Sequence, residues 1–371
     1  MGIKQRLNDW KLFASGYLKS FQRHSPASGD ADGPIDFVVT WVDGSDPAWQ
    51  KERAEYFGET ELTRSGNGAC RYRDWVSFRY WFRAVEAYAP WVRYVHLVTW
   101  GHVPAWLNLE CPKLKIVKHT DYMPPEFLPT YNCNSLELNL FRIPDLSEHF
   151  VYFNDDILLA RPVSPGDFFE NGMPKHTGIA LPWVNRDNEI PYHLFFNGFG
   201  LANKKNNITD CIRRHPEKFF SHVYGSSIRY NIDAYRSGGI PGMYFTHMGV
   251  PFRRSSMQWT WEKYEKECVE TSRYRIRDIH QITHQIYSVE DILSSNFVPE
   301  KNDWGTIILI ENTGAIRWAY ESRVYKMICL ADRDDLTPEE VASINRDLTA
   351  LFDRFFPKAC AFEKTEGSGR P

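Results

Sequence analysis

Phe150-Val151-Tyr152-Phe153-Asn154-Asp155-Asp156-Ile157-Leu158-Leu159 is a run of aromatic and β-branched residues that stops at an amide and two adjacent carboxylates, then turns apolar again. A run that is apolar at every position, not at alternate ones, reads as a strand buried on both faces. Its end delivers acids into a cleft, and in open α/β sheets ligands sit beyond the carboxyl ends of the strands. Two neighbouring like charges are unfavourable unless a cation or hydrogen-bond donors offset them. Mg²⁺, which prefers hard oxygen ligands, is the usual answer. The alternative at this level is an exposed Asn-Asp-Asp turn.

A second strand end of the same kind lies upstream. Ile35 to Trp41 (IDFVVTW) is β-branched and apolar and runs into Val42-Asp43-Gly44-Ser45-Asp46-Pro47. Asp, Gly, Ser and Pro are ordinary turn formers. Here they also put two acids at a strand terminus, with a glycine that lets the backbone come close to a ligand. Further strands are expected at Arg93–Thr99, Leu114–Val117, Ile179–Trp183, Met243–Thr246, Thr306–Glu311 and Tyr325–Leu330, the last followed by Asp332, Asp334 and Asp335. Helices are expected at Asp74–Ala89 with Asp74 as N-cap, from Asn134 through a capping box closed by Glu137, at Ile208–His215, Ser256–Thr271 and Asp278–Val289, and from Thr337-Pro338-Glu339-Glu340 onward. Strands alternating with helices and ending in acids imply a Rossmann-like α/β fold.

The chain of 371 residues is long enough for one large domain with a substantial core, and its 43% hydrophobic and 25% charged composition is globular. A net charge of −3 gives no electrostatic footprint for nucleic acid. Seven scattered cysteines, with no Cys-x-x-Cys, suit reduced thiols in a cytosolic setting. No apolar stretch reaches the length of a membrane span, and there is no recognisable signal peptide.

Residues 1–24 stand apart. Ile3, Leu7, Trp10, Ala14, Tyr17 and Phe21 recur every 3–4 residues, while Lys4, Arg6, Lys11, Lys19 and Arg23 face only Asp9. A basic amphipathic helix with aromatics binds a membrane surface peripherally, or packs on its own domain or on a second subunit of an oligomer. Residues 25–34 (SPASGDADGP) read as a linker, residues 35–363 as the catalytic domain and residues 364–371 as a disordered tail.

Four cationic or imidazole features complete the inventory. Arg71, Arg73, Arg79 and Arg83 could clamp phosphate oxygens, with Glu86 as the bland salt-bridge partner of the last two. Arg273, Arg275 and Arg277 form a second basic run, and His247 follows a short apolar run in THMGVP. His280 and His284 have the spacing of a metal pair but no HExxH.

Taken together, four blocks resemble the Stealth family of hexose-1-phosphoryl transferases. That family includes bacterial capsular polysaccharide phosphotransferases and the animal lysosomal-enzyme GlcNAc-1-phosphotransferase. The first block is IDFVVTWVDGSD. The second runs from RYRDWVSFRYWFRAVEAYAPWVRYVHLVTWG through LPTYNCNSLE to LSEHFVYFNDD. The third centres on His247 and RYRIRDI, and the fourth runs from YKMICLADRDD to FFPKACAFE. The resemblance implies a glycosyltransferase-A-like mixed sheet flanked by helices, a nucleotide-sugar donor, a glycan acceptor and Mg²⁺ (or Mn²⁺). It implies Asp43, Asp156, His247 and Arg277 as catalytic. Trp41, Asp46, Arg71, Arg79, Arg83, Asn132 and Asn134 would bind substrate, and Asp155, Asp156 and Asp332 would hold metal. Ala331 stands where the family usually has Asn, and Asn132-Cys133 where it commonly has Asn-Ser or Ser-Ser. The expected reaction attacks phosphorus and releases UMP in cell-surface polysaccharide synthesis, at the cytoplasmic side of the membrane. A glycosyltransferase releasing UDP and a non-catalytic glycan-binding protein are the alternatives.

Overall fold

The computed structural model describes residues 3–22, 33–57, 67–184 and 190–364. Most of the expected linker and all but one residue of the expected tail lie outside these residues.

The central sheet has the order β3-β2-β1-β4-β8, with β1 at Ile35–Thr40, β2 at Val95–Thr99, β3 at Leu114–Lys118, β4 at His149–Asn154 and β8 at Val250–Arg253. The first four are parallel and β8 runs antiparallel to β4. The period-2 geometry of the strands sends successive side chains to opposite faces. Thus Phe37, Val39, Val151 and Phe153 enter one core, while Val38, Phe150 and Tyr152 enter the other. Helices cover both faces, which is why β1 and β4 carry apolar residues on both, with Asp36, Thr40, His149 and Asn154 the polar exceptions near their ends. Fully burying each such apolar side chain contributes about 1.5–3 kcal/mol.

The chain leaves this sheet at the acid pair. After Asn154, Asp155 and Asp156 form a turn, and β5 (Ile157–Leu159) joins a second sheet of order β10-β11-β5. Here β10 is Gly305–Leu309 and β11 is Met327–Ala331. Antiparallel pairing aligns Cys329 with Ile157, and Leu330 N donates to the Asp156 carbonyl at 2.9 Å. The end of β11 is therefore carried to the acids. A third sheet, β6 (Phe169–Glu170), β7 (Met173–His176) and β9 (Val298–Pro299), lies outside.

Two expected strands, Ile179–Trp183 and Met243–Thr246, are irregular, although Tyr244 N still bonds the Ile179 carbonyl. Their short apolar runs are buried by packing and never find a ladder. The Ser256–Thr271 helix is broken at Tyr264 into Arg254–Lys263 and Glu265–Arg273. The expected helix at Asp278 begins only at Gln285, giving Gln285–Leu293. A long helix at Ile190–Lys205 has no counterpart in the sequence reading.

Helix α1 is Ile3–Gln22, α2 Pro47–Tyr56, α3 Ser77–Tyr88, α4 Cys133–Leu138 and α5 Pro338–Phe355. The last carries the Thr337/Glu340 capping box as expected. Helix α3 starts later than expected because Asp74 does not cap it and instead accepts from Trp41 Nε1 at 2.8 Å. All seven cysteines are free thiols. No helix among the described residues is long and apolar enough to cross a membrane.

Candidate active site

The strand ends converge on a cavity of about 260 Å³. Asn154, Asp155 and Asp156 come from the β4–β5 turn, Cys329 and Asp332 from the end of β11, and Arg71 and Arg73 from the segment before α3. His247 arrives because β8 pairs antiparallel with β4: Val250 lies opposite Tyr152, so the residues just before it sit at the carboxyl end of β4. His247 Nε2 is 3.5 Å from Asp156 Oδ2, and Cys329 Sγ donates to the same oxygen at 3.4 Å. Arg277 lines this cavity and a second one, which also has Trp41, Trp49, Tyr72, His119 and Tyr131 in its wall. Arg71, Asn154, Asp155 and Arg277 are common to both.

The electrostatics of the acid pair are unresolved by the protein itself. Burial, reinforced by Asp156 and Asp74, pushes the Asp155 carboxyl well above its ordinary range. Burial acts the same way on Asp156, but the neighbouring His247 outweighs it and holds that carboxyl below its usual value. Burial opposes charge on His247, yet Asp156 raises it. Asp156 Oδ1 is buried and has no hydrogen-bond partner. Ligand atoms of Asp156, His247 and Cys329 lie within 4.8 Å of one another. An orphaned carboxylate oxygen beside a second acid fits a divalent cation. Full coordination by imidazole and thiolate would instead favour a softer ion.

The other expected site residues are explained by structure. Asp43 Oδ1 accepts from Ser45 N and Oγ at 2.8 and 2.6 Å, an Asx turn. Asp46 is the N-cap of α2, accepting from Ala48 N and Trp49 N. Neither lines either cavity. Gly44 permits close approach, but to protein: its N–H donates to the Tyr72 carbonyl at 2.8 Å, and a Cβ would lie 2.2 Å from that oxygen.

Arg79 and Arg83 do not reach the cavity. Both bind Glu363, Arg83 with a fork at 2.6 and 2.9 Å, and Arg83 also donates to the Phe356 carbonyl at 2.6 Å. The carboxylate between the stacked guanidinium groups thus comes from the far end of the chain. Glu86, the nearby alternative, accepts from Ala361 N instead. Asn132 and Asn134 are buried. Asn132 caps α4 and donates to the Tyr274 carbonyl, and Asn134 donates to Gln281. They tie down the segment carrying Arg277, whose guanidinium donates to Cys133 Sγ at 3.2 and 2.8 Å. Asp332 lines the cavity but is engaged by Arg73 at 2.6 Å and Trp75 Nε1 at 3.0 Å, which occupy the lone pairs a metal would need.

One group escaped the sequence reading. Because Asn132 is the N-cap of α4, Glu137 stands beyond the position where a capping-box acid belongs. It is buried in the core, accepting from Tyr152 Oη at 2.8 Å, with His284 Nδ1 at 2.6 Å. Asn154 Nδ2 donates to the same Tyr152 hydroxyl at 3.1 Å, so a continuous network links Glu137 to the acid turn. Burial alone would raise the Glu137 carboxyl, but His284 lowers it. His284 is therefore a carboxylate partner, and His280 pairs with Asp278. The spacing of these two imidazoles reflects no shared metal.

Comparison with known proteins matches the same regions. The family model "Stealth protein CR1, conserved region 1" covers residues 33–59, and "Stealth protein CR2, conserved region 2" covers residues 71–176. A capsular polysaccharide phosphotransferase of Streptococcus pneumoniae is 37% identical over 333 residues, 89% of this chain and 98% of that one. An exopolysaccharide phosphotransferase of Lactiplantibacillus plantarum is 36% identical over 339 residues, 89% and 96% of the two chains. A receptor polysaccharide phosphotransferase of Streptococcus oralis is 35% identical over 337 residues, 89% and 99%. Among solved structures, a galactosyltransferase bound to donor and acceptor sugar analogues aligns over 85% of this chain and 95% of its own, at 13% identity and a TM-score of 0.37. That score carries no weight beside the strand order itself. At this identity over nearly the whole length of its relatives, the chain belongs to the Stealth family and is a transferase.

Proposed function

We propose that this protein transfers a sugar-1-phosphate from a nucleotide diphosphate sugar, UDP-linked, to a hydroxyl of an acceptor glycan in capsular or other cell-surface polysaccharide synthesis. The observation that carries the reading is the meeting of Asp155, Asp156, His247, Arg71 and Arg277 around one cavity. The names of the bacterial relatives support the polysaccharide context.

In this reading the acceptor oxygen attacks the sugar-side phosphorus of the donor. A new P–O bond forms, the bond to the nucleoside phosphate breaks with its electron pair leaving on UMP, and the hydroxyl proton passes to His247. Arg71 and Arg277, which line both cavities, hold phosphoryl oxygens where charge accumulates. The aromatic second cavity takes the nucleoside, and the half-exposed His247 side faces the acceptor. Asp156 with Asp155 would hold a divalent cation, Mg²⁺ or Mn²⁺, which when bound neutralises phosphoryl charge. Asp332 serves at most indirectly, through Arg73.

Incubation with UDP-sugars, Mg²⁺ and capsule-type oligosaccharides, followed by phosphorus NMR, tests the reading. UMP and a phosphodiester are expected. UDP with a phosphate-free glycoside would overturn it in favour of a simple glycosyltransferase. A His247→Ala variant should lose roughly 10²–10⁴-fold in rate with donor affinity nearly intact.

A further inference from the structure

The apolar stripe of α1 faces outward. Sequence periodicity alone left open whether that face packs on the domain. The contact face is instead Asp9, Phe13, Gly16 and Ser20, which are buried at 4- and 3-residue spacing. Phe13 packs on Phe220 and Tyr235 at ring separations of 4.7 and 5.4 Å, and Tyr235 Oη donates to Asp9 at 3.2 Å. His222 N donates to Ser20 Oγ at 3.1 Å. A Cβ on Gly16 would lie 2.7 Å from the Pro216 carbonyl oxygen, so the helix is seated as closely as its backbone allows.

That seating leaves Leu7, Trp10, Tyr17, Leu18 and Phe21 each between 40% and 66% exposed, Phe21 with one ring face stacked on His222 at 4.1 Å. They are five of the thirteen exposed large hydrophobic residues described, on a helix of twenty residues. Arg6, Lys11 and Lys19 are exposed on the same helix, whereas its acid, Asp9, is turned inward. Among the described residues of α1, no acid faces outward to offset this positive charge.

We infer that α1 is a preoriented docking surface for an anionic lipid bilayer. A helix lying in the interface plane buries Leu and Phe at the acyl boundary, keeps Trp and Tyr at headgroup level, and places Lys and Arg on lipid phosphates. A second copy of the chain fits this face less well, because two such helices laid together would bring like charges beside one another. The inference stands apart from the transferase reading, since no residue of α1 lines either cavity.

Vesicle sedimentation of the full-length protein tests it. Partitioning onto vesicles of roughly one-third phosphatidylglycerol should exceed that onto pure phosphatidylcholine by about 100-fold at low salt, given three cations near an anionic surface. Joint Trp10→Glu and Leu18→Glu replacement should abolish binding with the fold retained by circular dichroism. Lys11→Glu with Lys19→Glu, which leaves every apolar contact in place, should remove the phosphatidylglycerol preference. Equal sedimentation with both vesicle types, or binding unchanged in both variants, overturns the inference. Failure to bind vesicles, together with a dimer in analytical ultracentrifugation that the first variant dissociates, would assign the face to a second copy instead.

Discussion

Two carboxylate sites sit at opposite ends of the same pair of strands, and they differ in how fully the protein answers them. Asp36, near the start of β1, is fully buried and accepts from Arg93 Nε and Nη2 at 2.8 and 2.6 Å and from Ser147 N at 2.9 Å, with His96 Nε2 at 3.0 Å. Burial would raise its carboxyl, yet these partners hold it far below the ordinary range. Asp155 and Asp156, at the end of β4, have one another, a half-exposed imidazole, the Cys329 thiol and an orphaned oxygen. The first site holds β1, β2 and the approach to β4 together. The second leaves charge for something else to neutralise. Acids whose partners all come from the fold are structural, and acids left short of partners mark where a ligand belongs.

The sharpest break of this comparison is Asp156→Asn. Transfer activity should fall roughly 10⁴-fold through loss of charge stabilisation worth several kcal/mol. The melting temperature should change little, because relief of Asp155 opposes loss of the Asp156–His247 pair. A large drop in stability at full specific activity would reverse the assignment. Asp36→Asn is the converse experiment. It leaves the one-third-exposed Arg93 guanidinium without its carboxylate and the buried His96 and Ser147 groups with a weaker acceptor, and should remove about 1–3 kcal/mol in urea unfolding, while the remaining folded fraction keeps its turnover number.

Glu363→Gln probes the same distinction among cations. Arg79 and Arg83 would lose their shared carboxylate, destabilising the protein by about 2–3 kcal/mol. Donor KM should stay within twofold, roughly the noise of such comparisons. A tenfold rise in KM at unchanged stability would return these arginines to the substrate.

Between pH 7 and pH 5 the expected effect is the smallest. His119 is buried and its Nδ1 has no partner, so burial lowers its pKa to about 3. The folded state thus refuses a proton that the unfolded chain accepts below about 6.5. Stability should fall as pH drops from about 6.5 toward 3, by at most about 1.4 kcal/mol per unit. Asp36 adds the same sign of dependence at lower pH, because its carboxylate partners are lost only on protonation. Melting curves at pH 7 and pH 5 should differ less in His119→Gln than in the parent. Identical shifts in both would show that His119 takes up its proton within the fold.

Strand and cap positions were legible where local chemistry suffices. The mainly apolar runs at β1 and β4, the Thr337-Pro338-Glu339-Glu340 helix start and the twenty-residue periodicity of α1 all depend on neighbours in sequence. The meeting of the 155–156 acids with His247 at one cleft followed from strand ends and family resemblance rather than from spacing. Asn134 and Glu137 defeated the reading because a cap and its box are set by which backbone N–H is left unpaired. Here that N–H belongs to the turn after Asn132.

What the sequence determined by itself is the four parallel strands β1 to β4, the pair β10 and β11, and the acids that end β4, because side-chain patterning and turn chemistry act over a few residues; β8 and the small outer strands were not legible. Only the tertiary structure decided partners. Glu363 answers Arg79 and Arg83 across more than 270 positions, as the 280-residue separation of its bond to Arg83 requires a closed fold. The stripe on α1 faces out because Phe13 and Gly16, not the longer apolar row, match the surface beneath. Pairing of charges and choice of helix face are settled by which surfaces come within a few ångströms, and that distance is a property of the folded chain alone.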